Sequence, residues 1–165
     1  MMLPGRPNTG EDDTRGQLGV LAEADGGEGR FLATTIRARS GNTSDRVYVH
    51  AKVGIIDDRW LTLGSANLNA HSFLNDTEVN VVTCDRALAR DTRLRLWAAH
   101  LERDIDEIAG EPNTVIDELW RPIAAEQRER WDRGEPLTHG LVELPATSRR
   151  SKRLPGPSQA LLVDG

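Results

Sequence analysis

The stretch Val49-His50-Ala51-Lys52-Val53-Gly54-Ile55-Ile56-Asp57-Asp58-Arg59-Trp60-Leu61-Thr62-Leu63-Gly64-Ser65-Ala66-Asn67 decides the fold. Its reading is a β-hairpin with a polar tip: a strand from Arg46 to Ile56, a turn at Asp57-Asp58-Arg59 and a returning strand from Trp60 to Leu63. Side chains alternate along a strand, so His50 and Lys52 are expected on one face, with Ala51 and Val53 turned to the core. The return brings Gly64, Ser65 and Asn67 back toward the same end. A glycine beside a serine lets backbone approach a ligand, and Asn67 adds an amide donor. One imidazole surrounded by a cation and neutral donors suits a tetrahedral phosphate oxyanion.

Upstream, Arg30 to Ala38 reads as a strand and Ser40 to Asp45 as a polar loop. Thr14 to Leu21 reads as a short helix capped by Asp12 or Asp13. Downstream, Glu78 to Thr83 is a fourth strand. A helix follows, with Asp85 as its N-cap. Ala87, Leu88, Leu94, Trp97, Ala98, Leu101 and Ile105 recur on its apolar face. A second helical stretch covers Val115 to Arg130, interrupted where Pro122 removes a backbone donor. The expected class is therefore α/β, a mixed β-sheet flanked by helices. The expected division is a body over residues 1–145 and a tail over 146–165 that is basic at Arg149-Arg150-Ser151-Lys152-Arg153, then Pro- and Gly-rich.

The chain has 165 residues, enough for one ordinary core, and a formal net charge of -5. An acidic chain has no general attraction for nucleic acid or anionic lipid. Its single cysteine, Cys84, excludes an internal disulfide and reads as a small buried residue at a strand end. No apolar run reaches the ~18 residues of a spanning helix. The opening residues lack the apolar core of a signal peptide, so the expectation is a cytoplasmic protein, peripheral to the membrane if it acts on lipid.

The pattern His50, Lys52, Asp57, Gly64, Ser65, Asn67 resembles, without a gap, the HKD signature of the phospholipase D superfamily. Glu78 sits where that family places an acidic residue that orients the catalytic imidazole. The rest of the chain looks like the C-terminal half of bacterial phospholipase D-like and cardiolipin synthase-like proteins. The resemblance implies one half of a phospholipase D-type fold and a two-step phosphoryl transfer with no metal or other cofactor. One histidine forms a phosphohistidine while a second protonates the leaving alcohol. It further implies that Lys52 and Asn67 hold phosphate oxygens with help from Ser65, that Glu78 fixes His50, and that Asp57 is structural.

That chemistry needs two such motifs, and this chain has one: His71, His100 and His139 lack a lysine two residues later. A symmetric homodimer would supply the second copy. The opening residues look like the middle of a domain, so the favoured expectation is a piece of a longer two-motif protein lacking its N-terminal partner half. His50 would then be the general acid. The expected substrate is a phospholipid, cleaved by hydrolysis or phosphatidyl transfer. A nuclease of the same superfamily is the first alternative, disfavoured because phosphate contacts along nucleic acid call for a Lys/Arg-rich face. An inactive fragment is the second. His71 reads as a loop or helix-start residue and the Arg149–Arg153 cluster as a solvated tail segment.

Overall fold

The computed structural model describes residues 1–3, 11–67, 72 and 74–144, with residues 11–17 described as backbone only. The elements are α1 (Glu11–Asp25), β1 (Thr34–Ser40), β2 (Thr43–Arg46), β3 (Lys52–Ile56), β4 (Trp60–Gly64) and β5 (Asn80–Thr83). Then come α2 (Arg86–Leu101), α3 (Ile105–Ile108), α4 (Pro112–Val115), a single wide turn (Ile116–Trp120), α5 (Arg121–Asp132) and β6 (Leu141–Glu143). The α/β class holds, with the strands shared between two three-stranded sheets, β2-β1-β6 and β3-β4-β5, whose strand pairs are all antiparallel. The expected tail at 146–165 and the loop reading of His71 lie outside the described residues.

The chain divides into two units, Met1–Val49 with Ile116–Gly165, and His50–Val115. In the first, α5 packs on β6, which pairs with β1. Trp120, Ala124, Leu141 and Val142 are buried there with Ala33 and Thr34. The Trp120 indole donates to Thr34 Oγ1 at 3.4 Å, which gives its buried N–H a partner. Gln127, almost fully buried, accepts from the backbone of Thr138 and His139 at 2.9 and 3.1 Å, tying the approach to β6 onto α5. The expected interruption near Pro122 takes the form of the wide turn Ile116–Trp120 within a helical run from Pro112 to Asp132. Pro122 itself occupies the first turn of α5, just after that wide turn. α1 begins earlier than the sequence suggests and takes in residues 12 and 13 as helix.

In the second unit, β3 and β4 form the expected hairpin, and α2 packs on β4 over the fully buried Leu61. Asp85 caps α2, its carboxylate accepting from Ala87 and Leu88 N–H at 2.9 and 3.1 Å. The buried face of α2 runs through Ala89, Arg93, Leu94 and Leu101, whereas Leu88 is exposed. The helix is thus rotated from its purely apolar stripe because Arg93 is drawn inward as an ion-pair partner. Two further expectations fail here. Val53 is exposed rather than turned to a core, in line with Leu63 and Val81 across the sheet. Cys84 is exposed because β5 is an edge strand whose residues Asn80 to Val82 are exposed on both faces. Among the described residues no helix is long and apolar enough to cross a membrane.

Candidate active site

β3 starts at Lys52, and residues 47–51 lie outside the strands. His50 therefore stands just before the strand, exposed, and not within a continuous strand from Arg46. β2 ends at Arg46 in one sheet and β3 belongs to the other; Val47 N–H still reaches the Ile36 carbonyl of β1 at 3.4 Å, and residues 48–51 lie outside both ladders. Lys52 folds back to donate from Nζ to the His50 carbonyl at 3.0 Å, which places the cation against the histidine backbone.

The register carries Lys52 to the rest of the motif. Lys52 faces Gly64 across the β3–β4 pair, and Gly64 faces Asn80 across β4–β5. Beyond Gly64 the chain turns over the end of β5. Ser65 N–H donates to the Val79 carbonyl at 3.0 Å, and Val79 N–H donates to Ser65 Oγ at 3.0 Å. The Ser65 hydroxyl donates its own proton to Glu78 Oε2 at 2.5 Å. Ala66 N–H is received by Asn80 Oδ1 at 3.2 Å, and half-buried Asn67 follows. Lys52, Ser65, Asn67 and Glu78 thus gather at the end of β3-β4-β5 that His50 precedes.

Gly64 is obligatory for this corner. A Cβ there would lie 2.0 Å from Asn80 Oδ1 and 2.3 Å from the Val79 carbonyl oxygen, well inside contact distance.

Glu78 is held below the usual carboxylate range, first by the Ser65 hydroxyl and then by Ser72, against an opposing desolvation that outweighs the smaller help of the Lys52 cation. It is ionised at neutral pH, so the site pairs a cation and an anion around neutral donors. The sequence-based expectation has Glu78 orienting His50; in the structure Glu78 receives the Ser65 hydroxyl.

Asp57 stands at the other end of the hairpin, five residues along β3 from Lys52 and so about 17 Å away. Asp57 and Asp58 both have φ 51°, the left-handed geometry of turns that match strand twist, which Asp tolerates better than most residues. The partner that the sequence left unread belongs to the next residue. Asp58 receives Arg93 Nε and Nη2 at 2.7 and 2.8 Å, a two-pronged pair that fastens the tip to α2. Arg93 also lies over the Trp97 ring at 4.6 Å. His139 is structural, its Nδ1 accepting from Leu141 N–H at 3.0 Å. Asn80, Ser72, Asp58 and Arg93 are contributors that sequence reasoning missed. Asn80 carried one signal, a polar residue alternating with Glu78 at the entry to a strand.

A family model described as "Cardiolipin synthase, PLD-like domain" matches residues 15–98, just over half of the chain and every candidate site residue. The chain is 33% identical over 97 residues to phospholipase D zeta 1 of Arabidopsis thaliana, covering 48% of this chain and 9% of that protein. It is 30% identical over 102 residues to phospholipase D B of Dictyostelium discoideum, covering 49% of this chain and 8% of that protein. To phospholipase D alpha 1 of Spuriopimpinella brachycarpa it is 30% identical over 129 residues, covering 61% of this chain and 16% of that protein. The chain therefore spans only a small part of the length of these curated relatives.

Proposed function

The chain belongs to the phospholipase D superfamily, and on that premise we propose that it supplies one half of a site for phosphodiester hydrolysis or phosphatidyl transfer on a phospholipid. The observation that supports this most is the register Lys52–Gly64–Asn80, which assembles Lys52, Ser65, Asn67 and Glu78 at the sheet end that His50 precedes. A phosphate placed there meets the Lys52 ammonium and the Asn67 carboxamide, while His50 exchanges a proton with the departing or attacking oxygen, or itself bonds to phosphorus. If His50 is the nucleophile, its ring nitrogen forms the N–P bond as the P–O bond to the leaving alcohol breaks. The alcohol then needs a proton from a second imidazole. If His50 is the acid, the second imidazole forms the bond and His50 gives up the proton. Either way two histidines are required. The second comes from another copy of this chain or from a further motif of the kind its longer relatives have room to hold.

The test is release of the headgroup alcohol from short-chain phosphatidylcholine or phosphatidylglycerol by the purified chain, with plasmid DNA as a competing substrate. Headgroup release abolished by His50→Ala supports the proposal. Cleavage of DNA with lipid untouched replaces it by a nuclease of the same superfamily. An associated chain that turns over neither substrate leaves an inactive piece as the answer.

A further inference from the structure

We propose that Asn80 is a positioning residue of this site, whose side-chain oxygen sets the course of the chain from Gly64 to Asn67. In a regular antiparallel ladder that pairs Gly64 with Asn80, the chain would continue with Ser65 opposite Val79 and Ala66 opposite Glu78. The first of these contacts forms, with Ser65 N–H on the Val79 carbonyl. That makes Ser65–Val79 a hydrogen-bonded pair, so a regular continuation would turn Ala66 N–H away from β5; instead it turns toward β5 and donates to Asn80 Oδ1 at 3.2 Å. The asparagine side chain therefore ends β4 and bends the strand over β5.

That bend is possible only because Gly64 has no side chain. A Cβ on Gly64 would sit 2.0 Å from Asn80 Oδ1 and 2.6 Å from Asn80 Cα. Gly64 and Asn80 are thus complementary, the missing side chain of one making room for the carboxamide of the other. Asn67 lies one residue beyond the captured amide, so the direction in which it leaves the corner depends on that bond. Glu78 braces the same corner from the other side through Ser65. Asn80 touches no reacting atom on this account; it acts through Ala66 and Asn67.

The part of this inference that concerns phosphate rests on the function proposed above, and the experiment separates the two. Amide hydrogen exchange of Ala66 and titration with inorganic phosphate are followed by NMR on the full chain and on Asn80→Ala, Asn80→Asp and Val82→Ala. Losing one neutral hydrogen bond corresponds to about a five- to tenfold change in either reading. Asn80→Ala is expected to speed Ala66 exchange by that factor and to weaken phosphate by a similar one. Asn80→Asp keeps the acceptor and restores slow exchange. Val82→Ala lies on β5 away from the corner and changes neither. Exchange unaltered in Asn80→Ala, exchange raised equally by Val82→Ala, or faster exchange with phosphate affinity intact overturns the inference. If phosphate fails to bind the unaltered chain, or binds Lys52→Ala as well, the functional proposal falls, and the role of Asn80 in the corner is decided by the exchange rates alone.

Discussion

Ser65 donates its single hydroxyl proton to Glu78 Oε2 at 2.5 Å while its oxygen receives Val79 N–H at 3.0 Å. A hydroxyl has one donor to give. With that donor committed to a carboxylate, Ser65 braces the corner; under the proposed function, a phosphate would then be held by Lys52 and Asn67 unless the substrate displaces Glu78.

The brace depends on pH. Glu78 is depressed by its serine partners and by Lys52, so its contribution is complete above the ordinary carboxylate value and is lost as pH falls through the depressed one. Thermal unfolding of the unaltered chain and of Glu78→Gln should differ at neutral pH and converge in acid. A constant difference across that range would place the stabilisation elsewhere.

The tip of the hairpin should be the most sensitive charged point in this unit. Arg93 is 6% exposed and Asp58 20%, and Arg93 Nη1 has no hydrogen-bond partner among the described residues. Asp58→Ala would strand a buried cation, at a cost of about 3 kcal/mol, the lower end for breaking a buried pair. Asp57→Asn, at an exposed position where Asn tolerates the same backbone, should change stability by less than about 0.5 kcal/mol. Denaturant unfolding of both variants checks the order. Because Arg93 holds the Asp58 carboxyl below its usual value, the penalty of Asp58→Ala should shrink as pH falls through that depressed value.

Gly64→Ala is expected to disturb the β4–β5 pair although it adds one methyl. The clash is with the Val79 carbonyl and Asn80 Cα as well as a side chain, so a rotamer change cannot relieve it. Overpacking of this kind costs about 1–3 kcal/mol. Denaturant unfolding gives the cost, and faster amide exchange at Ser65 and Val79 would locate it.

Lys52→Ala should lower turnover about 10²- to 10³-fold, as removal of one oxyanion donor does in other enzymes, with little change in melting temperature. Its hydrogen bond to the His50 carbonyl is exposed and adds little to stability. Parallel loss of activity and of fold would make it a structural lysine.

The hairpin was legible because turn chemistry and alternation agree: two aspartates at the tip, apolar residues either side, and a glycine where the return ends. The cap Asp85 and the start of α2 were legible for the same local reason. Where the strand begins was not. Alternation runs from Arg46 through Val53, yet a strand needs a neighbour, and β2 and β3 find theirs in different sheets. Arg93 was missed because a charged residue on a helix is counted as solvated until its partner, 35 residues away, is known. The six motif residues were named from the sequence, but the braces on them were not. Asn80 acts through a side-chain bond to the Ala66 backbone and Asp58 through a side-chain pair with Arg93, and no spacing rule records either.

The measurement that bears most directly on the central claim is turnover of bis-p-nitrophenyl phosphate as a function of chain concentration, with light scattering on the same samples and His50→Ala as control. One copy should hold half a site. Turnover should therefore be absent from the monomer, appear only in associated chain and vanish with His50→Ala. Hydrolysis by the monomer, or by an associated His50→Ala variant, would contradict the claim.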